Sequence, residues 1–445
     1  MAPEKKKQSL RSEIDRCVRC GACMAQCPVY GATQREGGVA RGKIALTRAG
    51  QDGRLAAGQV FRFHLSACLL CGSCTAVCPN QVDTPFIVQA ERAKLAAAKK
   101  TGRVKSYVLR KVLPSRRLLP ALLSGARFSR PLWASKVPKE SGLHIRFLRG
   151  PGGERHRIPK ISRPFFVERA KKKAVLHAAR RTPHSARRTP HVALFAGCVS
   201  NYLRPQAAGA AVAGLAGLGA SVIVPSDQGC CGLPAFGAGE TQAARKLALR
   251  NLDAFLPVDG HWPRYITSPC GSCVYMLSKH MVELLSDDAE AAGRAREFEE
   301  RVVPFSALWL KLRGDSPPKT ALGEKRGPLL TYHDPCHLAK GLKERDAPRN
   351  LLTSLPNAGF TEMEDADRCC GQGGSFCVSH YDLSLAIAER KLDSVLRSGA
   401  DILVTECSGC LLQLSEALGR VKPGSEVILT SEALLRFGEA DPETD

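Results

Sequence analysis

Twice near its start the chain places three cysteines at intervals of three, then a fourth after four more positions, then proline. The first run is Cys17, Cys20, Cys23 and Cys27 before Pro28; the second is Cys68, Cys71, Cys74 and Cys78 before Pro79. Three thiolates this close together can grip three irons of one [4Fe–4S] cube. The fourth, carried away by the longer step, reaches the iron of the other cube. The spacing therefore predicts a crossed arrangement. Cys17, Cys20 and Cys23 share a cluster with Cys78, and Cys68, Cys71 and Cys74 share one with Cys27. Gly21 and Gly72 let the backbone close on the sulfurs, and Pro28 and Pro79 stop a helix from running on past the ligand. The competing readings are zinc and a disulfide framework. A zinc ion closes with four ligands in a tetrahedron, which two interleaved runs of four fit poorly.

The chain holds 19 cysteines, and Met1 to Lys7 is polar and basic with no apolar run behind it. No export signal is expected, so the cysteines point to a reducing cytoplasm and metal ligation. The uncharged stretch 207–224 is rich in Ala and Gly and bounded by Pro205 and Pro225. It reads as a helix followed by a strand, not as a membrane span.

From residue 191 the texture becomes α/β, with short apolar strands expected at 192–196, 221–224, 265–267, 329–332, 360–363 and 402–405 between helical stretches. Such alternation implies parallel sheets. The cysteines here form a repeat. Cys198, Cys230-Cys231-Gly232 and Cys270-Gly271-Ser272-Cys273 are echoed by Cys336, Cys369-Cys370-Gly371 and Cys407-Ser408-Gly409-Cys410. Two sets of five at matching spacing indicate two homologous halves. Each cysteine group falls just beyond a strand and before a helix. In open α/β sheets ligands bind at that edge, and helix amino termini there favour an anionic group. Buried structural cysteine, or one zinc per half, is the plainer alternative, although five thiolates exceed what a tetrahedral ion needs. Cys377 is left over and reads as a small buried residue. His333 and His337 flank a cysteine; a bond to a cluster sulfur and a plain core or surface role both remain open.

The pattern resembles the cysteine-rich CCG domain of heterodisulfide reductase subunits. That resemblance implies that each set of five holds an iron–sulfur cluster of the non-cubane [4Fe–4S] type, giving one or two clusters beyond the two cubes. Taken whole, the chain resembles the glycolate oxidase and lactate-utilisation iron–sulfur subunits. Ala193-Leu194-Phe195-Ala196-Gly197-Cys198, His333-Asp334-Pro335-Cys336-His337-Leu338 and Asp367-Arg368-Cys369-Cys370-Gly371 carry the resemblance. The expected architecture is α+β and multidomain: an α-helical ferredoxin domain over 1–100, a connector over 101–190, and α/β CCG repeats with parallel sheets over 191–315 and 325–440.

Charge separates the connector from the rest. The net charge is +23, and between residues 100 and 190 there are 25 Lys and Arg against three acids, Glu140, Glu154 and Glu168. The cluster-bearing remainder is close to neutral, so nucleic acid is not the expected partner. The first part of the connector mixes Leu and Val with Arg and Lys, as a surface helix interrupted by Pro114 and Pro120 would. The last part repeats Ala179-Arg180-Arg181-Thr182-Pro183-His184 as Ala186-Arg187-Arg188-Thr189-Pro190-His191. It reads as a solvated tether, the sharper alternative being a dock for an acidic partner or anionic lipid. Any membrane contact is expected to be peripheral, on the cytoplasmic face of the inner membrane.

For function, the resemblance implies an electron-transfer oxidoreductase subunit. A partner FAD-containing dehydrogenase would oxidise lactate or glycolate, and electrons would pass through this chain to a quinone or another carrier. No Gly-x-Gly-x-x-Gly follows a strand, so no catalytic residue on the hydroxy acid is assigned here. The alternative implied by the CCG sets is a disulfide reductase.

Overall fold

The computed structural model describes residues 9–98, 101–128, 134–136, 143–149, 155–158, 161–172, 190–255, 262–314 and 327–438. The amino-terminal region is helical, as expected. Ser9 caps Leu10–Asp15 by accepting from the Ser12 amide at 3.1 Å, and Asp83 caps Thr84–Ala97 by accepting from the Phe86 amide at 3.0 Å. Each cap satisfies an amide that the first helical turn leaves without a partner. Between the cysteine runs, Ala40–Gln51 buries Ala40, Ile44 and Thr47, and Gln59–Ser66 buries Phe61 and Leu65. Those steps of three and four put one face of each helix inward.

The described parts of the connector carry regular structure, and its first part is helical as expected. It contains Arg103–Tyr107, a π-helical turn Val108–Val112 and Leu118–Phe128, with Pro120 in its first turn. Next come an antiparallel sheet, β1 (Ala134–Lys136), β2 (Leu143–Arg149) and β3 (Arg155–Ile158), and then the helix Phe166–Lys172. Leu109, Val112, Ile161, Phe165 and Phe166 are buried, and Arg110 pairs with the buried Glu240 at 2.5 Å. Sparse but regularly placed apolar residues anchor this basic stretch to the body. The Arg-Arg-Thr-Pro-His repeat lies almost wholly outside the described residues.

The two halves that follow have parallel sheets. In the first, β4 (His191–Leu194) lies between β5 (Ser221–Ile223) and β6 (Tyr265–Thr267). In the second, β7 (Leu329–His333) lies between β8 (Gly359–Phe360) and β9 (Ile402–Thr405), and β10 (Glu426–Leu429) extends the sheet beyond β9. The sequence expectation of a strand over 360–363 is too long. Pairing ends where the Thr361 amide meets the Leu330 carbonyl, and Glu362 turns out to bind Arg349. β10 is an addition to the strands expected from sequence; its place in the first half is taken by a single bridge, Ile266 to Val302. The 207–224 stretch is a helix, Pro205–Ala216, followed by β5. Among the described residues no helix is long and apolar enough to cross a membrane.

The halves share their core. Val192, Leu194, Leu215 and Phe305 pack in one cluster with Leu330, Tyr332, Val404 and Leu434. Hydrogen bonds stitch the same seam: Gly271 amide to Glu406 carbonyl at 2.6 Å, Ser431 hydroxyl to Ala207 carbonyl at 3.0 Å, and Arg204 to Glu432 at 3.0 Å. The ferredoxin domain is seated on both halves. The Arg92 guanidinium donates to the carbonyls of Leu65, Ser66 and Cys68 in its own domain and to Gly237 of the first half. Val29, Ala67 and Leu69 form one apolar cluster with Cys369, Phe376 and Ile387 of the second half.

A candidate iron–sulfur centre chain

The two ferredoxin runs fold into matching loops. Arg19 and Leu70, each just before the second cysteine, sit at φ 60° and 55°; Gly21 and Gly72, each just after it, sit at φ 89° and 72°. Left-handed backbone on either side of a cysteine is costly for Arg and Leu. It turns successive amides inward, a shape suited to an anion. The loops border two cavities. One is lined by Cys17, Cys20, Cys23 and Cys78. The other is lined by Cys27, Cys68 and Cys71, and Cys74 borders both. The second cavity thus takes three cysteines of the second run and the last of the first, and the first cavity takes three of the first run with the last two of the second. Cys20 is exposed and the other seven are partly covered. Burial pushes the Cys27 thiol up to about 11, partly offset by the Lys43 ammonium.

The ten remaining cysteines of the repeat converge at the carboxyl edges of the two sheets. Cys270 and Cys407 cap the helices Gly271–Lys279 and Ser408–Val421. Cys198 lies at the start of Gly197–Tyr202, and Cys230-Cys231 precede Leu233–Gly237. Cys336 opens the π-helical turn His337–Gly341. Eight of the ten are buried; Cys198 and Cys336 are half-buried. Within the second set Cys370 and Cys410 are 3.2 Å apart. Within the first, the Cys230 and Cys273 thiols beside Cys231 hold it down to about 6.

The sets also meet one another. The Cys273 thiol draws Cys270 down, but Cys407 opposite and burial carry it up to about 11. Cys270 and Cys410 in turn hold Cys407 well below the usual thiol range. At the far side the Cys369 thiol holds Cys71 of the ferredoxin domain down to about 5. Cys71 of the ferredoxin domain thus packs beside Cys369 of the second half, and Cys407 of the second half lies in one cluster with Cys270 of the first. Cys377 stands apart, half-buried and bonded to the Gly374 carbonyl at 3.2 Å.

Three polar residues beside these sulfurs are not evident from motif reading. Lys340 donates to the Ser73 hydroxyl at 2.7 Å and the Asp367 carbonyl at 2.8 Å, so its ammonium lies across the junction of the ferredoxin domain and the second half. Ser73 in turn lies 3.5 Å from the Cys71 sulfur. Ser272 of the first half touches the Cys407 sulfur at 3.1 Å and His337 Nδ1 at 2.9 Å. His337 stacks on Tyr275, and burial lowers its pKa to about 4. The signal for Lys340 exists in the repeat: four residues after the leading cysteine, the first half has Tyr202 and the second has Lys340.

An all-thiolate donor set in two linked loops and two paired sheets defines a class, the proteins that couple a cubane-binding domain to paired cysteine-rich domains. Residues 13–82 match the 4Fe-4S dicluster domain, and residues 192–278 and 330–415 each match the cysteine-rich CCG domain. A probable glycolate oxidase iron–sulfur subunit of Bacillus subtilis is 29% identical over 431 residues, 94% of this chain and 92% of its own length. Lactate utilization protein A of Exiguobacterium is 31% identical over 243 residues, 55% of this chain and 96% of its own length. A hypothetical protein from Helicobacter pylori of known structure overlaps 98% of this chain and 74% of its own, at 11% identity and a TM-score of 0.48. The chain belongs to the family of glycolate oxidase and lactate-utilisation iron–sulfur subunits. It is an iron–sulfur protein of the oxidoreductase type.

Proposed function

We propose that this chain is the electron-transfer subunit of a 2-hydroxy-acid dehydrogenase acting on lactate or glycolate. The observation that carries the reading is the continuity of sulfur from the exposed Cys20 through Cys71 and Cys369 to the buried cysteines of both halves. Each group of cysteines borders the next: Cys74 lies on both ferredoxin cavities, Cys71 packs beside Cys369, and Cys407 faces Cys270. The names of the relatives supply the hydroxy acid.

On this reading Cys17, Cys20, Cys23 and Cys78 hold one cubane cluster, and Cys68, Cys71, Cys74 and Cys27 hold the other. Cys198, Cys230, Cys231, Cys270 and Cys273 hold a third group. Cys336, Cys369, Cys370, Cys407 and Cys410 hold a fourth. The lining of the two cavities supports the crossed pairing. When bound, these groups carry single electrons. The protein fixes their order, screens them from water and sets their potentials through neighbours such as Lys340 and Ser272. A partner flavoprotein supplies the electrons, and a quinone or another carrier removes them. The connector face with exposed Val104, Tyr107, Val108, Leu118 and Leu122 beside Lys111, Arg116 and Arg117 is the surface offered to anionic lipid.

The test is anaerobic and optical. The protein is isolated with whatever binds it, and D-lactate, L-lactate, glycolate and a low-molecular-weight disulfide are added in turn while cluster absorbance is followed. Bleaching by a hydroxy acid is expected. No response to any hydroxy acid, with dithionite-reduced protein reoxidised by the disulfide, would replace this reading by the reductase.

A further inference from the structure

The two halves differ at the residue three positions before their leading cysteine: Phe195 in the first, His333 in the second. Both are buried, Phe195 at 0% exposure and His333 at 1%. Phe195 packs against Phe255 with ring centroids 6.0 Å apart. His333 has no such plain role. Neither of its ring nitrogens has a hydrogen-bond partner among the described residues. One ring nitrogen, the Cys370 sulfur and the Cys410 sulfur all lie within 4.8 Å of one another. A neutral imidazole carries one donor and one acceptor nitrogen, and leaving both unmet in the interior is unfavourable.

The surroundings hold the ring in place without satisfying it. Thr405 donates to the His333 carbonyl at 3.2 Å. Asp334, next in sequence, is turned away and bound by both Arg349 Nη atoms at 2.9 Å. Its amide bonds the Ala366 carbonyl, and Lys391 binds the carbonyls of Asp365 and Ala366 at 2.7 and 3.0 Å. The end of β7 is thus tied to the loop that delivers Cys369 and Cys370. The imidazole faces the Cys370 and Cys410 sulfurs from a fixed strand end.

We propose that His333 is a sixth protein group of the second cysteine-rich site, donating a ring N–H to a sulfur of the iron–sulfur group there and making that site easier to reduce than the first. This rests on the reading that the second site holds such a group. An N–H donated to a cluster sulfur draws off negative charge and so favours the more negative, reduced state. Phe195 gives the first site nothing comparable, so the duplication yields two unequal centres.

The full chain, labelled with ¹⁵N-histidine and loaded anaerobically, is reduced with dithionite and examined by pulsed electron paramagnetic resonance. A histidine-nitrogen coupling on one centre is expected, retained in His337→Phe and lost in His333→Phe. In a potential titration His333→Phe, which copies the first half, should lower the reduced-to-oxidised ratio of that centre about tenfold at fixed potential, a 59 mV shift for one electron. A loaded second site whose wild-type spectrum carries no histidine nitrogen overturns the proposal, whether or not His333→Phe folds. So does a coupling lost in His337→Phe. Failure of the underlying reading looks different: Cys370→Ser would then leave the iron content unchanged.

Discussion

The two cysteine-rich halves carry five cysteines each at nearly the same intervals, on parallel sheets in which β4 and β7 take equivalent places, yet their immediate neighbours diverge. The first half has Phe195, Tyr202 and a lone bridge at Val302; the second has His333, Lys340 and a full strand β10. The second half also meets the ferredoxin domain where Cys71 packs against the cluster that holds Cys369. The first meets it through Arg92 and the Gly237 carbonyl. Duplication preserved the cysteine frame and let the surroundings change, which on the proposed reading lets one motif serve two unequal electron carriers.

The strongest test of that difference removes one cysteine from each half. Cys370→Ser and Cys231→Ser should each cost roughly a quarter of the iron if all four sites fill. They should part in kinetics. With Cys370→Ser, electrons from the ferredoxin domain no longer reach the first half within the turnover time; with Cys231→Ser they still reach the second. Freeze-quenched spectra after rapid reduction would check this, and equal rates in the two variants would break the proposed order.

The Cys-Cys-Gly turns offer the next comparison. Gly371 and Gly232 sit at φ 89° and 94°. A Cβ on Gly371 would lie 2.4 Å from the Ser384 carbonyl oxygen, but on Gly232 the nearest atom, the Met276 methyl, is 3.5 Å away. Gly371→Ala should therefore cost about 3 kcal/mol or more, from overlap added to strain. Gly232→Ala should cost about 1–2 kcal/mol, from strain alone. Thermal unfolding of the two variants measures the gap, and similar melting temperatures would count against it.

Lys340 comes third. Replacing it by Met removes a positive charge from beside Ser73 and Asp367. Each electron added nearby should lose on the order of 1–2 kcal/mol of stabilisation. Tyr202→Phe in the first half should leave potentials where they are. A potential titration in which the two variants behave alike would remove the asymmetry at this position. The smallest effect is expected from Ser272→Ala, about 1 kcal/mol in stability, because one hydroxyl leaves His337 and Cys407 short of a partner. A melting temperature within error of the parent would show that the hydroxyl is replaced by water.

Much of the frame is legible in the chain itself, because cysteine spacing and strand–helix alternation are local signals. The strand Ile402–Thr405, the helix Thr84–Ala97 and the placement of cysteines beyond strand ends follow from it. What is not legible depends on contacts between distant segments. Nothing near Lys340 says that it will meet Ser73, which is 267 residues away. Nothing near Cys270 says that it will face Cys407. The first part of the connector shows the same limit: its mix of Leu and Val with Arg and Lys suggests a surface helix, and only packing discloses that Leu109 and Val112 hold it down.

The seating of the ferredoxin domain has a kinetic consequence. Arg92 ties carbonyls of that domain to Gly237, and Val29, Ala67 and Leu69 are packed into the second half. A domain held at both ends does not swing as a shuttle between donor and acceptor. On the proposed reading, electron transfer inside the chain is then ungated and insensitive to solvent viscosity, so that thickening the medium should slow only the encounter with a partner.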